Sequence, residues 1–293
     1  MLAISLFLLT AQSVPDLVER ARTGGCDPAR VGLATAFRDT ASKAEDKRLA
    51  GLALAQCEIA RERYSEAWPI VETLRVAHPE DADVLYLAAK LHLRGWNDVV
   101  YRMFQKTPAS FRVNQVSAEI FELQGRFAEA AAEYRKAIEK APDTVNLHYR
   151  LGRALLLETH DNFTAAMREF EAELKLNPND AAAEYQIGQI LVASQKPLEA
   201  APRFEKAAKL DPAFIEPLIA LSKIQTGKAV EFLEKAVAQA PRSEAARYNL
   251  MLAYRNAGRA ADARKQKDEL DKLQKPPEGE FTEFLKKLGE KPK

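Results

Sequence analysis

Apolar and polar positions follow a helical period along most of this chain, and one arrangement of them returns again and again. From Gly125 the chain passes Ala130, Tyr134 and Ala137 and reaches Pro142. From Gln195 it passes Ala200, Phe204 and Ala207 and reaches Pro212. In both, an alanine is followed four residues on by an aromatic, three further on by alanine, and five further on by proline. Ala166, Phe170 and Pro178 keep the frame with Glu173 in the second alanine position. Ala229, Leu233, Ala236 and Pro241 keep it again, as do Ala67, Val71, Leu74 and Pro79. A second helical pattern precedes each, marked by small or apolar pairs such as Leu151-Gly152, Ile187-Gly188, Leu221-Ser222 and Leu250-Met251. The pattern predicts paired helices. Small residues let two helix backbones approach, Tyr134, Phe170 and Phe204 fill the space left between, and proline ends each unit because it cannot continue a helix.

These frames resemble the tetratricopeptide repeat, whose period is about 34 residues. The resemblance covers most of residues 45–275, with residues 181–214 the fullest copy. It implies an all-α fold: a right-handed α-solenoid of antiparallel helical hairpins, in which stacking supplies one continuous core that no unit could bury alone. Two copies are short, at 82–110 and at 215–243, where only Thr226, Gly227 and Lys228 separate the helical patterns. The copy at 145–180 has a longer inter-helix loop around Glu158 to Asp161. After Gly258, a charged helix from Ala260 to Gln274 has the look of a solvated cap. Pro276-Pro277 stops it, and the remaining tail, 276–293, carries Phe281, Phe284, Leu285 and Leu288 on one face of a short helix over 280–288, a stripe suited to docking back on the array.

The N-terminus differs. Met1 to Thr10 are uncharged and mostly apolar, too short for a membrane helix of about 20 residues. With the small-x-small triplet Ala11-Gln12-Ser13 they form an expected signal peptide, 1–13, which places the chain in the periplasm or outside the cell with no membrane insertion after cleavage. Residues 14–44 are then an N-terminal helical segment. Asp27 and Pro28 suit the N-cap and first position of a helix to about Thr40, and a second runs from about Ala44 to Arg61. In an antiparallel hairpin turning near residue 42, Cys26 and Cys57 lie about equally far from the turn and face each other. In an oxidising compartment they are expected to pair. The alternative is two free thiols.

Composition narrows the function classes. Alanine, the best helix former, is the commonest residue, while there are only 12 glycines. Lys plus Arg number 43 and Asp plus Glu 42, leaving a net charge of +1. That balance, with basic and acidic residues interleaved, offers no electrostatic footprint for nucleic acid. His78, His92, His148 and His160 make no metal-ligand spacing, and no phosphate loop or nucleophile elbow occurs. No cofactor, metal or catalytic residue is expected. His160-Asp161 is the nearest polar cluster, in a solvated loop, and Asn162-Phe163-Thr164 matches a glycosylation acceptor.

What remains is a groove. The family resemblance implies that first helices line a concave face that takes extended peptides. In that register the chain carries Tyr149, Tyr185, Ile219 and Tyr248, and one turn on Arg153, Gln189, Lys223 and Leu252. Aromatic area with some positive charge suits a peptide with apolar and acidic side chains. The same tyrosines could instead pack between neighbouring first helices, and neither role excludes the other. The leading expectation is a non-catalytic scaffold binding a protein or peptide at the cell envelope. The alternative is an assembly module that self-associates or joins a larger complex.

Overall fold

The computed structural model describes residues 13–159 and 162–274, and among them it holds fifteen α-helices and no strand. Residues 1–12 of the expected signal peptide, the His160-Asp161 pair and the tail from Lys275 lie outside the described residues. The chain divides into two compact units, Met1–Pro108 and Ala109–Lys293. Each is taken by itself.

The first unit contains α1 (Val14–Arg22), α2 (Cys26–Arg38), α3 (Ala44–Ala60), α4 (Tyr64–Ala77) and α5 (Ala82–Lys106). Helix α3 is at its centre. One side meets Leu17, Ala21, Ala29 and Leu33 of α1 and α2. The other meets Ala67, Val71 and Leu74 of α4 and Val84, Leu87 and Leu91 of α5. A helix buried on two sides has no polar stripe at its middle, so every residue from Ala50 to Ala55 is interior. Helix α2 starts earlier than Asp27 suggests. Gly24 takes a left-handed φ of 97°, the chain turns at once, and Gly25 becomes the cap. Asp27 sits in the first turn and its carboxylate lies 2.6 Å from Arg61 at the end of α3.

The expected short hairpin at 82–110 is one uninterrupted helix, α5, of 25 residues. Gly95 stands inside it without a turn, and the Asp98–Arg102 pair one turn apart continues the helical surface. Only its first half reaches the core. Leu93, Trp96, Val99, Tyr101 and Phe104 are exposed.

The second unit is five hairpins: α6 (Phe111–Leu123) with α7 (Phe127–Lys140), α8 (Leu147–Glu158) with α9 (Phe163–Leu176), α10 (Ala181–Ala193) with α11 (Pro197–Leu210), α12 (Glu216–Ile224) with α13 (Ala229–Gln239), and α14 (Glu244–Asn256) with α15 (Ala260–Leu273). Tyr134, Phe170 and Phe204 are fully buried, as are Ala130, Ala137, Ala166, Ala200 and Ala207. The aromatic rings sit directly on small residues of the preceding helix. A Cβ added to Gly152 would come within 2.8 Å of the Phe170 ring, and one on Gly188 within 2.5 Å of the Phe204 ring. The glycines therefore supply ring space.

The turns inside the hairpins are also shared. Glu62, Gly125, Gln195 and Gly258 all have φ between 58° and 72°. In each case the next residue's N–H donates to a carbonyl five residues back: Arg63 to Glu58, Arg126 to Phe121, Lys196 to Leu191 and Arg259 to Tyr254. This is the left-handed helix ending that satisfies orphan carbonyls. The two hairpins of the second unit without it are those with altered spacing. Helix α12 has nine residues and reaches α13 through a single 3-10 turn, Thr226–Lys228. Helix α8 reaches α9 through the longer link.

The last hairpin inverts the packing rule. Helix α15 buries Ala263 and Leu270 in the repeat frame, so it is the second member of a hairpin as well as a solvated surface. Lys267 stands where Phe204 stands two hairpins earlier, and Met251 stands where Gly188 does. The volume comes from the first helix, and the lysine is exposed.

Candidate interaction site

The eight groove positions fall on α8, α10, α12 and α14, the first helices of four consecutive hairpins. Their environments differ. The Tyr149 ring lies 5.6 Å from that of Phe170. The Tyr185 ring lies 5.5 Å from Phe204 and 4.9 Å from Phe214. Both tyrosines are half-buried. They pack on the second helix of their own hairpin, and Tyr185 also on the residue that leads toward α12. Gln189 donates its amide to the Tyr185 hydroxyl. Burial raises the Tyr185 pKa above its ordinary value, so the ring is a neutral group. Ile219 is half-buried between the two cores of the unit. Leu252 is half-buried, while Arg153 and Lys223 are exposed. Tyr248 is 52% exposed, the most open of the tyrosines on these helices.

Buried carboxylates place these helices, a role the sequence pattern does not reveal. Asn146, which precedes α8, has a left-handed φ of 75° and its side chain makes no cap. The cap comes from α9. Glu173 accepts from the backbone N–H of Asn146 at 2.6 Å and of Tyr149 at 3.2 Å. Its departure from alanine therefore has a use: it fixes the start of α8 where Tyr149 stands. Glu184 fastens α10 to α11, accepting from Lys206 at 2.6 Å and Arg203 at 2.9 Å. Arg150, one residue after Tyr149, faces Glu122 at 3.6 Å and Glu119 at 3.8 Å. The Tyr134 hydroxyl donates to Glu122 at 3.1 Å. Burial, then the Glu122 charge, hold the Tyr134 pKa far above its ordinary value.

In the first unit Cys26 and Cys57 form a disulfide with Cα atoms 5.6 Å apart, joining the start of α2 to the end of α3. Beside it the buried Glu58 accepts from Arg30 at 2.6 Å and Arg63 at 2.5 Å. Asn162 uses its amide to donate to the Leu155 carbonyl at 3.2 Å. Among the described residues no group of three or more His, Cys, Asp or Glu side chains could hold a metal ion. Among them also, no helix is long and apolar enough to cross a membrane.

Consecutive antiparallel hairpins with a ring set over a small residue define an α-helical repeat protein. Residues 119–214 are tetratricopeptide repeats: a TPR repeat pattern matches 119–157 and a tetratricopeptide repeat pattern matches 151–214. Among solved structures, MamA 41-end from Desulfovibrio magneticus RS-1 is similar at a TM-score of 0.50 with 20% identity, over 58% of this chain and 97% of that one. YrrB, a TPR protein with an unusual peptide-binding site, gives a TM-score of 0.47 and 19% identity over 64% of this chain and 97% of that one. The MamA likeness is one of fold. Among curated proteins, the probable UDP-N-acetylglucosamine–peptide N-acetylglucosaminyltransferases SPINDLY of Solanum lycopersicum and Arabidopsis thaliana are each 28% identical over 97 residues, 33% of this chain. The chain spans 10% of the length of those relatives.

Proposed function

We propose that this chain is a non-catalytic scaffold that binds an extended segment of a partner protein along the first helices of its second unit. One observation carries the reading. Four consecutive first helices present the same two positions, one turn apart, as a row of rings and an isoleucine beside a row that is polar at Arg153, Gln189 and Lys223 and apolar at Leu252. Tyr149 and Tyr185 are held by Phe170 and Phe204, and rigid aromatic area binds at low entropy cost. Arg153 and Lys223 supply open positive charge, which suits acidic side chains on the partner.

The test uses displayed short peptides selected on the full chain. Recovered sequences should combine apolar residues with Asp or Glu. Arg153→Glu with Lys223→Glu should weaken the selected peptides by about tenfold or more, since each reversal places like charges together. Both side chains are exposed, so the helical circular dichroism should not change. Undiminished binding by the double variant would overturn the groove reading.

We place the scaffold in an oxidising compartment outside the cytoplasm. The Cys26–Cys57 pairing supports this, because such bonds persist mainly in exported proteins, as does the apolar Met1 to Thr10 segment. The intact mass of the protein from cells should correspond to a chain beginning at Val14 with two fewer hydrogens than its dithiol form. A chain retaining Met1 and carrying free thiols would remove this placement.

A further inference from the structure

Helix α5 carries two apolar stripes, and only one of them is covered. Val84, Leu87, Ala88 and Leu91 are buried in the core with α3 and α4. Past Leu91 that side of the helix continues as Gly95, Asp98, Arg102 and Lys106, which need no cover. The second stripe lies on another side and runs along nearly the whole helix: Leu85, Ala89, Leu93, Trp96, Val100 and Phe104, each three or four residues after the last. Leu85, Leu93, Trp96 and Phe104 are between 41% and 62% exposed, Ala89 is exposed and Val100 is half-buried. From Leu85 to Phe104 the stripe is about 29 Å long. It shares no residue with the groove positions on α8, α10, α12 and α14.

The order of side chains along the stripe decides the occupant. With a second α5 running the opposite way and a two-fold axis between Leu93 and Trp96, Leu85 of one copy meets Phe104 of the other, Ala89 meets Val100, and Leu93 meets Trp96. Every contact sets a smaller side chain against a larger one. A parallel pair in register puts Trp96 on Trp96 and Ala89 on Ala89, a crowded contact beside a gap. The antiparallel pair also brings the basic end of each helix, at Lys106, level with the acidic start of the other, at Asp83, and opposes the two helix dipoles. A hairpin within one chain would cover the same stripe, but α5 continues through Gly95 without a turn. We propose that two copies of this chain associate through this stripe, α5 antiparallel to α5, as a two-fold homodimer. The seam covers roughly 600 Å² per chain, at the small end of specific interfaces, which suits a reversible dimer with a Kd in the micromolar range.

Sedimentation equilibrium of the full chain over a range of concentrations tests this. The expected behaviour is a reversible monomer–dimer equilibrium. Leu93→Asp with Trp96→Asp sets like charges together at the centre of the seam and should weaken association by about 100-fold or more. Both side chains are exposed in the single chain, so the helical circular dichroism should not change. Orientation is read with an Ala89→Cys variant and a Val100→Cys variant, mixed and treated with a short bismaleimide, which leaves the Cys26–Cys57 disulfide in place. The expected product joins one chain of each variant, and neither variant alone should cross-link efficiently. A native chain that stays monomeric up to about 1 mM overturns the proposal. A dimer that survives the double aspartate variant also overturns it, since that dimer forms through another surface. Products that join identical variants in preference to the mixed pair show parallel helices and overturn it as well.

Discussion

In Met1–Pro108 a covalent bond and Glu58, held between two arginines, fix one end of the α2/α3 hairpin, and the Phe37 ring of its first helix packs over Gly51 of its second, whereas in Ala109–Lys293 the rings of the second helices α9 and α11 pack over glycines of the first helices α8 and α10. The first solution works once, at one end of one hairpin. The second can be repeated, because it needs only a small residue on the first helix and a ring on the second. The difference teaches why the second unit carries the recognisable repeats. Ring-over-glycine packing restricts residue types at fixed spacing, while a disulfide restricts only its two cysteines.

The comparison is broken most severely at a ring. Phe204→Ala leaves a cavity over Gly188 and should cost about 3–5 kcal/mol. Hydrogen exchange should then show lost protection in α10 and α11, with α2 and α3 unaffected. Equal loss in both units would contradict the separate bases of their stability. Removing the disulfide is the matching test in the first unit. Cys26 and Cys57 are 31 residues apart in sequence, and closing such a loop contributes up to about 4 kcal/mol in the chain-entropy account. Cys26→Ser with Cys57→Ser should therefore lower the denaturant midpoint of α1–α4 and leave that of α8–α11 in place.

The sequence frame located the hairpins because small, aromatic and proline positions are local and periodic. The frame carried less information wherever the deciding partner is distant. Glu173 acts on Asn146 and Glu184 on Lys206, across two different helices each, and nothing in the local pattern of either glutamate announces its partner. At 82–110 the hydrophobic spacing suits a hairpin, yet no residue there adopts the left-handed turn seen at Glu62 or Gln195, and the helix simply continues. The groove tyrosines show the limit most clearly. Tyr149, Tyr185 and Tyr248 occupy one register, but the first two rest on Phe170 and Phe204. Tyr248 faces a helix with Lys267 in that place and stays exposed. Its surroundings are decided by a residue 19 positions later, so register alone could not rank the three.

The smallest expected effect separates the units by pH. Tyr254 in α14 is buried, and its hydroxyl donates to Glu234 at 2.7 Å. Burial first, and then that carboxylate, push its pKa up from 10.0 to about 12. A raised value means the fold favours the protonated ring. The contribution is complete below pH 10 and is lost as the pH rises toward 12, because the unfolded chain releases the proton more readily. Tyr134 is shifted in the same direction and adds to the same alkaline limb. Among the described residues the first unit has no buried tyrosine. Alkaline titration should therefore loosen α13–α15, followed by hydrogen exchange or by tyrosinate absorbance, before it affects α1–α4. Tyr254→Phe should flatten the stability profile between pH 10 and 12 while lowering stability at neutral pH through loss of the Glu234 bond. A profile unchanged by Tyr254→Phe would mean that the alkaline loss arises elsewhere and that burial of this ring does not distinguish the second unit.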